Sequence, residues 1–276
     1  MGALFVFGYA AHGVSATARE RMAQLCVVVS KLSGCEIAIG EASSYEDLAA
    51  LLHKKQIDLA WLPPIPFIAL EKKGSVVPIL GCHRGGSSQF LSVLIVRADS
   101  VLQEARDLTG TRAAWVDPHS ASGYVLPRIR LASLGVDPRR AFTAEKFCRS
   151  HEEVARAVVA GESDFGATYA GTDGAGTIVR GPWMDLPEGE ASVRVLDAFG
   201  PVPGDVIAAR ADVDPRLSDK VALGFIAASR DKGNRLLFSD VFGVDELRRW
   251  TPGGYDELRA ATMEASAKGL LEGEER

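Results

Sequence analysis

The chain has 276 residues, 47% of them apolar and 24% charged, with a formal net charge of −5. That composition supports a folded core without help from disulfides or a structural metal. With no dense run of Lys or Arg, it argues against a nucleic-acid binder, whose affinity rests on basic patches.

The first elements alternate. Leu4–Phe7 reads as a buried strand and residues 8–13 as a loop. Met22, Leu25, Val28 and Val29 share one face of a helix over Ser15–Ser30, with Gly34 as its C-cap. Glu36–Gly40 is a short strand. Ser43 or Ser44 caps a helix to His53, whose Glu46 and Asp47 suit its positive end. Ile57–Leu62 is a strand stopped by Pro63 and Pro64. This β-α-β-α-β order implies a parallel sheet flanked by helices.

Val76–Leu80 and Leu91–Val96 add strands, and the polar segment Arg97–Ser100 marks a crossing into a second α/β run. There, a short helix ends at Leu108, Arg112–Val116 is a strand and Tyr124–Leu134 a helix closed by Gly135. Glu152–Ala160 is an amphipathic helix, and Asp164–Thr168 and Arg194–Ala198 are strands. The Pro/Gly-rich segment Gly200–Asp205 is a second crossing. A strand at Val206–Ala209 and helices at Leu217–Ser229, Leu236–Phe242 and Tyr255–Leu271 complete the chain, with a frayed tail after residue 271. The expected fold is α/β and two-lobed, each lobe a mixed, mostly parallel sheet flanked by helices. Residues 1–97 and 206–276 form a discontinuous lobe I, 98–205 an inserted lobe II, and the ligand cleft lies between them.

No run of about 18 apolar residues occurs, so no membrane insertion is expected. No signal peptide is recognisable, because Leu4–Phe7 is too short for an apolar region and lacks basic residues before it. A trimmed leader and a cytoplasmic protein both stay open. The cysteines Cys26, Cys35, Cys82 and Cys148 form no CxxC pair, and no His stands at zinc-finger spacing, so neither metal nor cofactor is expected. Cys26 and Cys35 flank an expected helix end, and buried reduced thiols are favoured over a disulfide.

Trp115–Pro127 carries the most chemistry. A strand ends at Val116, a serine-rich turn follows, and a helix begins near Ser122–Tyr124. The first turn of a helix presents unpaired N–H groups and partial positive charge. Ser120 and Ser122 add hydroxyl donors, and Gly123 lets an anion approach the backbone. Together they form a cradle for an oxyanion without a formal cation. A serine-capped helix with no ligand has the same local pattern.

The run Asp117-Pro-x-Ser-x-Ser-Gly-Tyr-x-x-Pro127 resembles that of the phosphate, phosphite and phosphonate solute-binding proteins of ABC transporters. Further segments follow in the same order: Ser44–Leu48, Ile57–Leu62, Leu91–Ser100, Asp107–Gly110, Ser150–Val154 and Pro201–Asp205. The resemblance implies capture of a small phosphonate-, phosphite- or phosphate-like oxyanion by lobe closure, for delivery to an ABC permease. It also implies a periplasmic or extracytoplasmic location, unless the sequence is complete and the protein cytoplasmic.

The resemblance implies individual roles as well. Ser120 and Ser122, with the amides of Ala121 and Gly123, hold the anion; His151 is a further donor, and Tyr45 donates from the first lobe. Asp205 matches a position that binds the ammonium of aminoalkyl phosphonates. Two positions depart from the family's pattern. Phe90 stands where Tyr is frequent and Ala121 where Thr is frequent, each removing a hydroxyl worth about 1 kcal/mol in a dry pocket. A second acid for an ammonium is missing near Thr168–Gly171, where Asp173 is a nearby substitute, which argues against aminoethyl phosphonate.

Tyr9 follows the first strand at the carboxyl edge of the sheet, where ligands bind. Trp61 and Phe67 flank the two prolines and are candidate pocket walls; Tyr169 follows a strand and is a candidate lining residue. The alternative function is a cytoplasmic enzyme or sensor on the same bilobal fold. Cys148 and His151 are its candidate couple, since a neighbouring His can generate a thiolate. Asp117, His119 and Ser120 are too close in sequence to form a triad. A binding protein without catalytic residues is the favoured reading.

Overall fold

The structure is a computed structural model that describes residues 3–11, 14–187 and 189–271. The expected frayed tail lies outside the described residues. The chain divides into two compact units: Met1–Ser88 with Gly204–Pro252, and Gln89–Pro203 with Gly253–Arg276. The boundaries therefore fall before those expected at 97/98 and 205/206, and the last helix belongs to the second unit rather than to lobe I.

Unit 1 starts with β1 (Leu4–Ala10) and β2 (Glu36–Ala42), parallel in unbroken register from Leu4↔Glu36 to Ala10↔Ala42. The pairing extends β1 through Gly8, Tyr9 and Ala10, which the sequence placed in a loop. Between them, α1 (Ala16–Ser33) is capped by Ser15, whose hydroxyl accepts from the Ala18 amide. It ends at Gly34, whose φ of 67° suits glycine. Ser44 caps α2 (Tyr45–His53), accepting from the Asp47 amide. β3 (Leu59–Leu62) is parallel to β1. Pro64 then opens α3 (Pro64–Lys72): at the first helical position the missing N–H costs nothing, so the prolines start a helix as well as ending the strand. β4 (Val76–His83) is the last strand before the chain leaves the unit.

Unit 2 starts with β5 (Gln89–Arg97), which pairs antiparallel to β8 (Phe165–Thr172) and β10 (Val193–Pro203). That pairing explains why β5 belongs to unit 2. β6 (Arg112–Trp115) lies parallel to both β7 (Ala144–Phe147) and β8. After β6, a π turn over Ala121–Val125 leads into α4 (Leu126–Ser133). α5 (His151–Val159), capped by Ser150, precedes β8, and β9 (Ile178–Arg180) pairs back onto it. The sheet order is β10-β5-β8-β6-β7, with β9 against β8. Trp115, Tyr124, Phe142 and Phe165 form its aromatic core, with Trp115 5.7 Å from Tyr124 and 5.5 Å from Phe165 between ring centres.

β11 (Val206–Arg210) returns the chain to unit 1, followed by α6 (Pro215–Arg230), α7 (Arg235–Phe242) and β12 (Glu246–Arg249). The sheet order is β12-β4-β11-β3-β1-β2, parallel across β3-β1-β2 and antiparallel at β11 and β12. Its core joins Phe7, Leu25, Val29, Phe225, Phe238 and Phe242, all nearly sealed from solvent. Each such side chain stabilises the fold by about 1.5–3 kcal/mol relative to exposure. Finally, α8 (Tyr255–Ala267) packs on α4 and β10, within unit 2. Among the described residues, no helix is long and apolar enough to cross a membrane, and no group of three His, Cys, Asp or Glu is placed to hold a metal ion.

Candidate functional site

The serine turn sits where the sequence places it, at the carboxyl end of β6. The amides of Val125 and Leu126 reach back five residues to the carbonyls of Ser120 and Ala121, making the first turn wider than an α-helix. Such π turns recur at functional sites. Ser120 caps the turn, its hydroxyl oxygen accepting from the Gly123 amide at 3.0 Å. This corrects one expected role: the Gly123 amide is already occupied. The amides of Ala121 and Ser122 have no acceptor among the described residues, and both residues are at most 4% exposed.

Gly123 is needed for packing rather than for anion approach. A Cβ there would lie 2.3 Å from Val116 Cγ2 and 2.8 Å from Ser120 Oγ. The helix start is pressed onto the strand end, and the Val116 amide donates to the Gly123 carbonyl at 3.2 Å. Only glycine permits that approach.

Beside the turn, Ser92 of β5 is completely buried and donates to the Ser122 carbonyl at 2.8 Å, anchoring the residue whose own amide is one of the two free donors. Ser92 pairs across the sheet with Tyr169. The Tyr169 ring lies 4.9 Å from His151 edge-on, and 6.2 Å from Phe90. His151, the first residue of α5, holds Thr168 Oγ1 through Nδ1 at 2.9 Å. Thus Ser120, Ala121, Ser122, Phe90 and His151 assemble at one end of the unit 2 sheet, with Tyr169 among them. Ser92 and Thr168 had no assigned role in the sequence. Their signal was a polar residue inside the buried middle of each of two central strands.

Four expected residues belong to unit 1, each with its own setting. Tyr45 begins α2 and is half-buried. Tyr9 is fully buried, its hydroxyl donating to Glu41 Oε1 at 2.5 Å; burial first, and then Glu41, push its phenol above the ordinary range. It is a core residue of the sheet, not a lining residue. Trp61 packs edge-on against Phe242 at 5.1 Å, and its indole Nε1 is buried with no partner among the described residues. Asp205 does not present a carboxylate to an ammonium, because Arg84 Nη2 holds it at 2.7 Å while also donating to the carbonyl of Phe242. Asp173 is likewise committed, accepting the amides of Ala175 and Thr177 in the β8–β9 turn.

The Cys148–His151 couple is not a nucleophile. Cys148 packs against Ala114, Val116, Val154 and Ala157, and burial raises its thiol above the usual value. A reactive cysteine needs the opposite environment. Likewise Asp117 Oδ1 accepts the His119 amide at 2.7 Å, a local turn and not a relay. Cys26, Cys35 and Cys82 are buried free thiols, with Cys26 pushed up to about 12 by burial. Alkylation of the native protein is expected to label Cys148 first and slowly, and the other three only on unfolding, as read by mass spectrometry. A cavity of about 280 Å³ lined by Arg97, Arg112, Ser163 and Asp164 lies at the opposite ends of β6 and β8, away from these groups.

Residues 7–255 match the family described as ABC transporter, phosphonate, periplasmic substrate-binding protein. The chain belongs to this family. The family assignment excludes the enzyme alternative as the main reading, since its members serve ABC importers. A curated relative, the phosphate-import protein PhnD of Mycolicibacterium smegmatis, is 24% identical over 253 residues, covering 85% of this chain and 77% of the relative. Among solved structures, a Xanthomonas citri protein bound to ATP is 21% identical, with a TM-score of 0.78 and coverage of 96% and 99%. PhnD1 of Prochlorococcus marinus, in complex with methylphosphonate, is 16% identical, with a TM-score of 0.76 and coverage of 95% and 98%. At these identities the structures show the fold, a bilobal periplasmic-binding-protein fold.

Proposed function

We propose that this chain captures a small phosphonate-, phosphite- or phosphate-like oxyanion on the serine turn of unit 2 and delivers it to an ABC permease. One observation carries the reading: the amides of Ala121 and Ser122 are buried and, among the described residues, unpaired at a helix N-terminus, flanked by the Ser120 and Ser122 hydroxyls. Two unpaired buried donors cost about 1–3 kcal/mol each, and an anion removes that cost while meeting the positive end of the helix. The family supplies the ligand class, and the phosphate import of one relative and the methylphosphonate bound to another agree with it. His151 is the proposed further donor from unit 2, and Tyr45 from unit 1.

Titration calorimetry with phosphate, phosphite and methylphosphonate tests this directly. Saturable binding in the low-micromolar range or tighter is expected for at least one of them, and none for the neutral ester dimethyl methylphosphonate. Heat signals no larger than the ester's for all three, with folded protein confirmed by circular dichroism, would defeat the assignment.

A further inference from the structure

Two hydroxyls stand in the buried middle of the unit 2 sheet, Ser92 on β5 and Thr168 on β8, and both residues are sealed from solvent. The register sets Ser92 opposite Tyr169 and Val93 opposite Thr168. Side chains alternate along a strand, so the two hydroxyls leave opposite faces of the sheet. Each holds one arm of the proposed site. Ser92 donates to the Ser122 carbonyl, and Thr168 Oγ1 meets His151 Nδ1 at 2.9 Å. His151 is placed for this contact as the first residue of α5, behind the Ser150 cap. The Tyr169 ring stands edge-on to the imidazole at 4.9 Å and limits its swing.

Burial dictates the direction of the bond to His151. A hydroxyl has one hydrogen to place. Among the described residues, Thr168 Oγ1 has no partner other than His151 Nδ1. Were Nδ1 to carry a hydrogen, the Thr168 oxygen would accept it and the hydroxyl hydrogen would be orphaned in a sealed strand. That holds for the neutral ring protonated at Nδ1 and for the doubly protonated ring alike. With the hydroxyl donating, only an oxygen lone pair goes unmet, and a buried acceptor left short is tolerated better than an orphaned donor. Nδ1 is then the acceptor and the single ring hydrogen sits on Nε2, since the bond made by one ring nitrogen sets the state of the other. We infer that Thr168 is a positioning residue, whose hydroxyl holds His151 in the tautomer that presents an Nε2–H donor to the oxyanion. The opposite tautomer would turn a lone pair on the anion and repel it. The inference rests on the reading of His151 as a donor to the anion and adds the group that fixes which nitrogen donates.

Proton–nitrogen NMR of the full chain with nitrogen-labelled histidine reads the tautomer directly. Of the five histidines, the one whose ring signals vanish in His151→Gln is His151. The wild-type protein should show its Nδ1 as an unprotonated nitrogen and its Nε2 as a protonated one. A protonated Nδ1 overturns the inference whatever the affinities, and needs no variant of Thr168 to fold. Calorimetry with phosphate, phosphite and methylphosphonate supplies the second half. For the ligand that binds most tightly, Thr168→Val should weaken binding about tenfold, the scale of one hydrogen bond to a charged partner. Thr168→Ser restores the hydroxyl and should keep the nitrogen signature and most of the affinity. Thr168→Val combined with His151→Gln should lose no more than His151→Gln alone, because Thr168 acts through the ring. Wild-type affinity in Thr168→Val, or losses that add in the double variant, overturns the positioning role and leaves the serine turn standing. Failure of all three ligands with the wild-type protein overturns the serine-turn reading and the binding role of Thr168 with it.

Discussion

Replacing Arg128 by Met is expected to lower the unfolding free energy by about 3–5 kcal/mol, the usual cost of stripping one partner from a buried ion pair. Arg128 has no solvent exposure, and its Nη1 lies 2.6 Å from Glu145 Oε2, itself only 8% exposed. The Trp115 indole also donates to that oxygen, at 2.9 Å. Nε donates to the Leu270 carbonyl at 2.7 Å, and the guanidinium stands 5.0 Å from the Tyr124 ring. Met can fill much of the volume and keep the aromatic contact, but it leaves the Glu145 carboxylate buried with the indole as its one remaining donor among the described residues. Urea unfolding measures the loss. The double variant Arg128→Met with Glu145→Leu should recover most of it, since an apolar pair of similar volume avoids the desolvation cost altogether. Hydrogen exchange supplies a second readout. α8 is tied to unit 2 through the Leu270 carbonyl, so amides of Tyr255–Ala267 should lose protection in Arg128→Met beyond the general loss. Equal stability of wild type and the single variant would contradict the pair's role.

The same contact shows where the sequence was hard to read. Nothing local to Tyr255–Ala267 says which unit it joins; the answer lies in a buried arginine more than a hundred positions earlier. β7 was missed for a related reason. Ala144–Phe147 holds Glu145 and Lys146, which read as polar, yet Glu145 faces inward because Arg128 neutralises it. β12 was missed because three of its four residues are charged, as suits an edge strand that must not pair further, and only Leu247 is buried. α3 was hidden by prolines read as terminators. By contrast, α1, α2 and the central strands were legible, because their periodicity and serine caps are local and agree with the tertiary packing. The serine turn was legible for the same reason. What the sequence missed there was a division of labour: Ser120 Oγ and Val116 occupy Gly123, and the free amides are those of Ala121 and Ser122.

That division makes Gly123→Ala the most telling change at the site. The new methyl would meet Val116 Cγ2 at 2.3 Å, Val116 Cβ at 2.7 Å and Ser120 Oγ at 2.8 Å, all too close for real contacts. The helix start must then move away from the strand end, breaking the Ser120 cap and the Val116-to-Gly123 hydrogen bond. Overpacking of this kind costs about 1–3 kcal/mol of stability. The functional cost is separate, because the Ala121 and Ser122 amides change their aim. Losing a single hydrogen bond to a charged ligand is worth about 1.5–3 kcal/mol, or roughly tenfold and upward in affinity. Val116→Ala removes the 2.3 Å contact but leaves the Cβ at 2.7 Å, so it should rescue Gly123→Ala only in part. The stability loss of the double variant should therefore fall short of the sum of the singles, as expected for residues in contact. Ser122→Ala supplies the complementary case. Among the described residues its hydroxyl has no partner, so the variant should fold as stably as wild type and lose affinity alone. If Gly123→Ala lost stability yet kept wild-type affinity for every oxyanion that the protein binds, the anion would have to sit elsewhere, and the free amides would be an ordinary helix end.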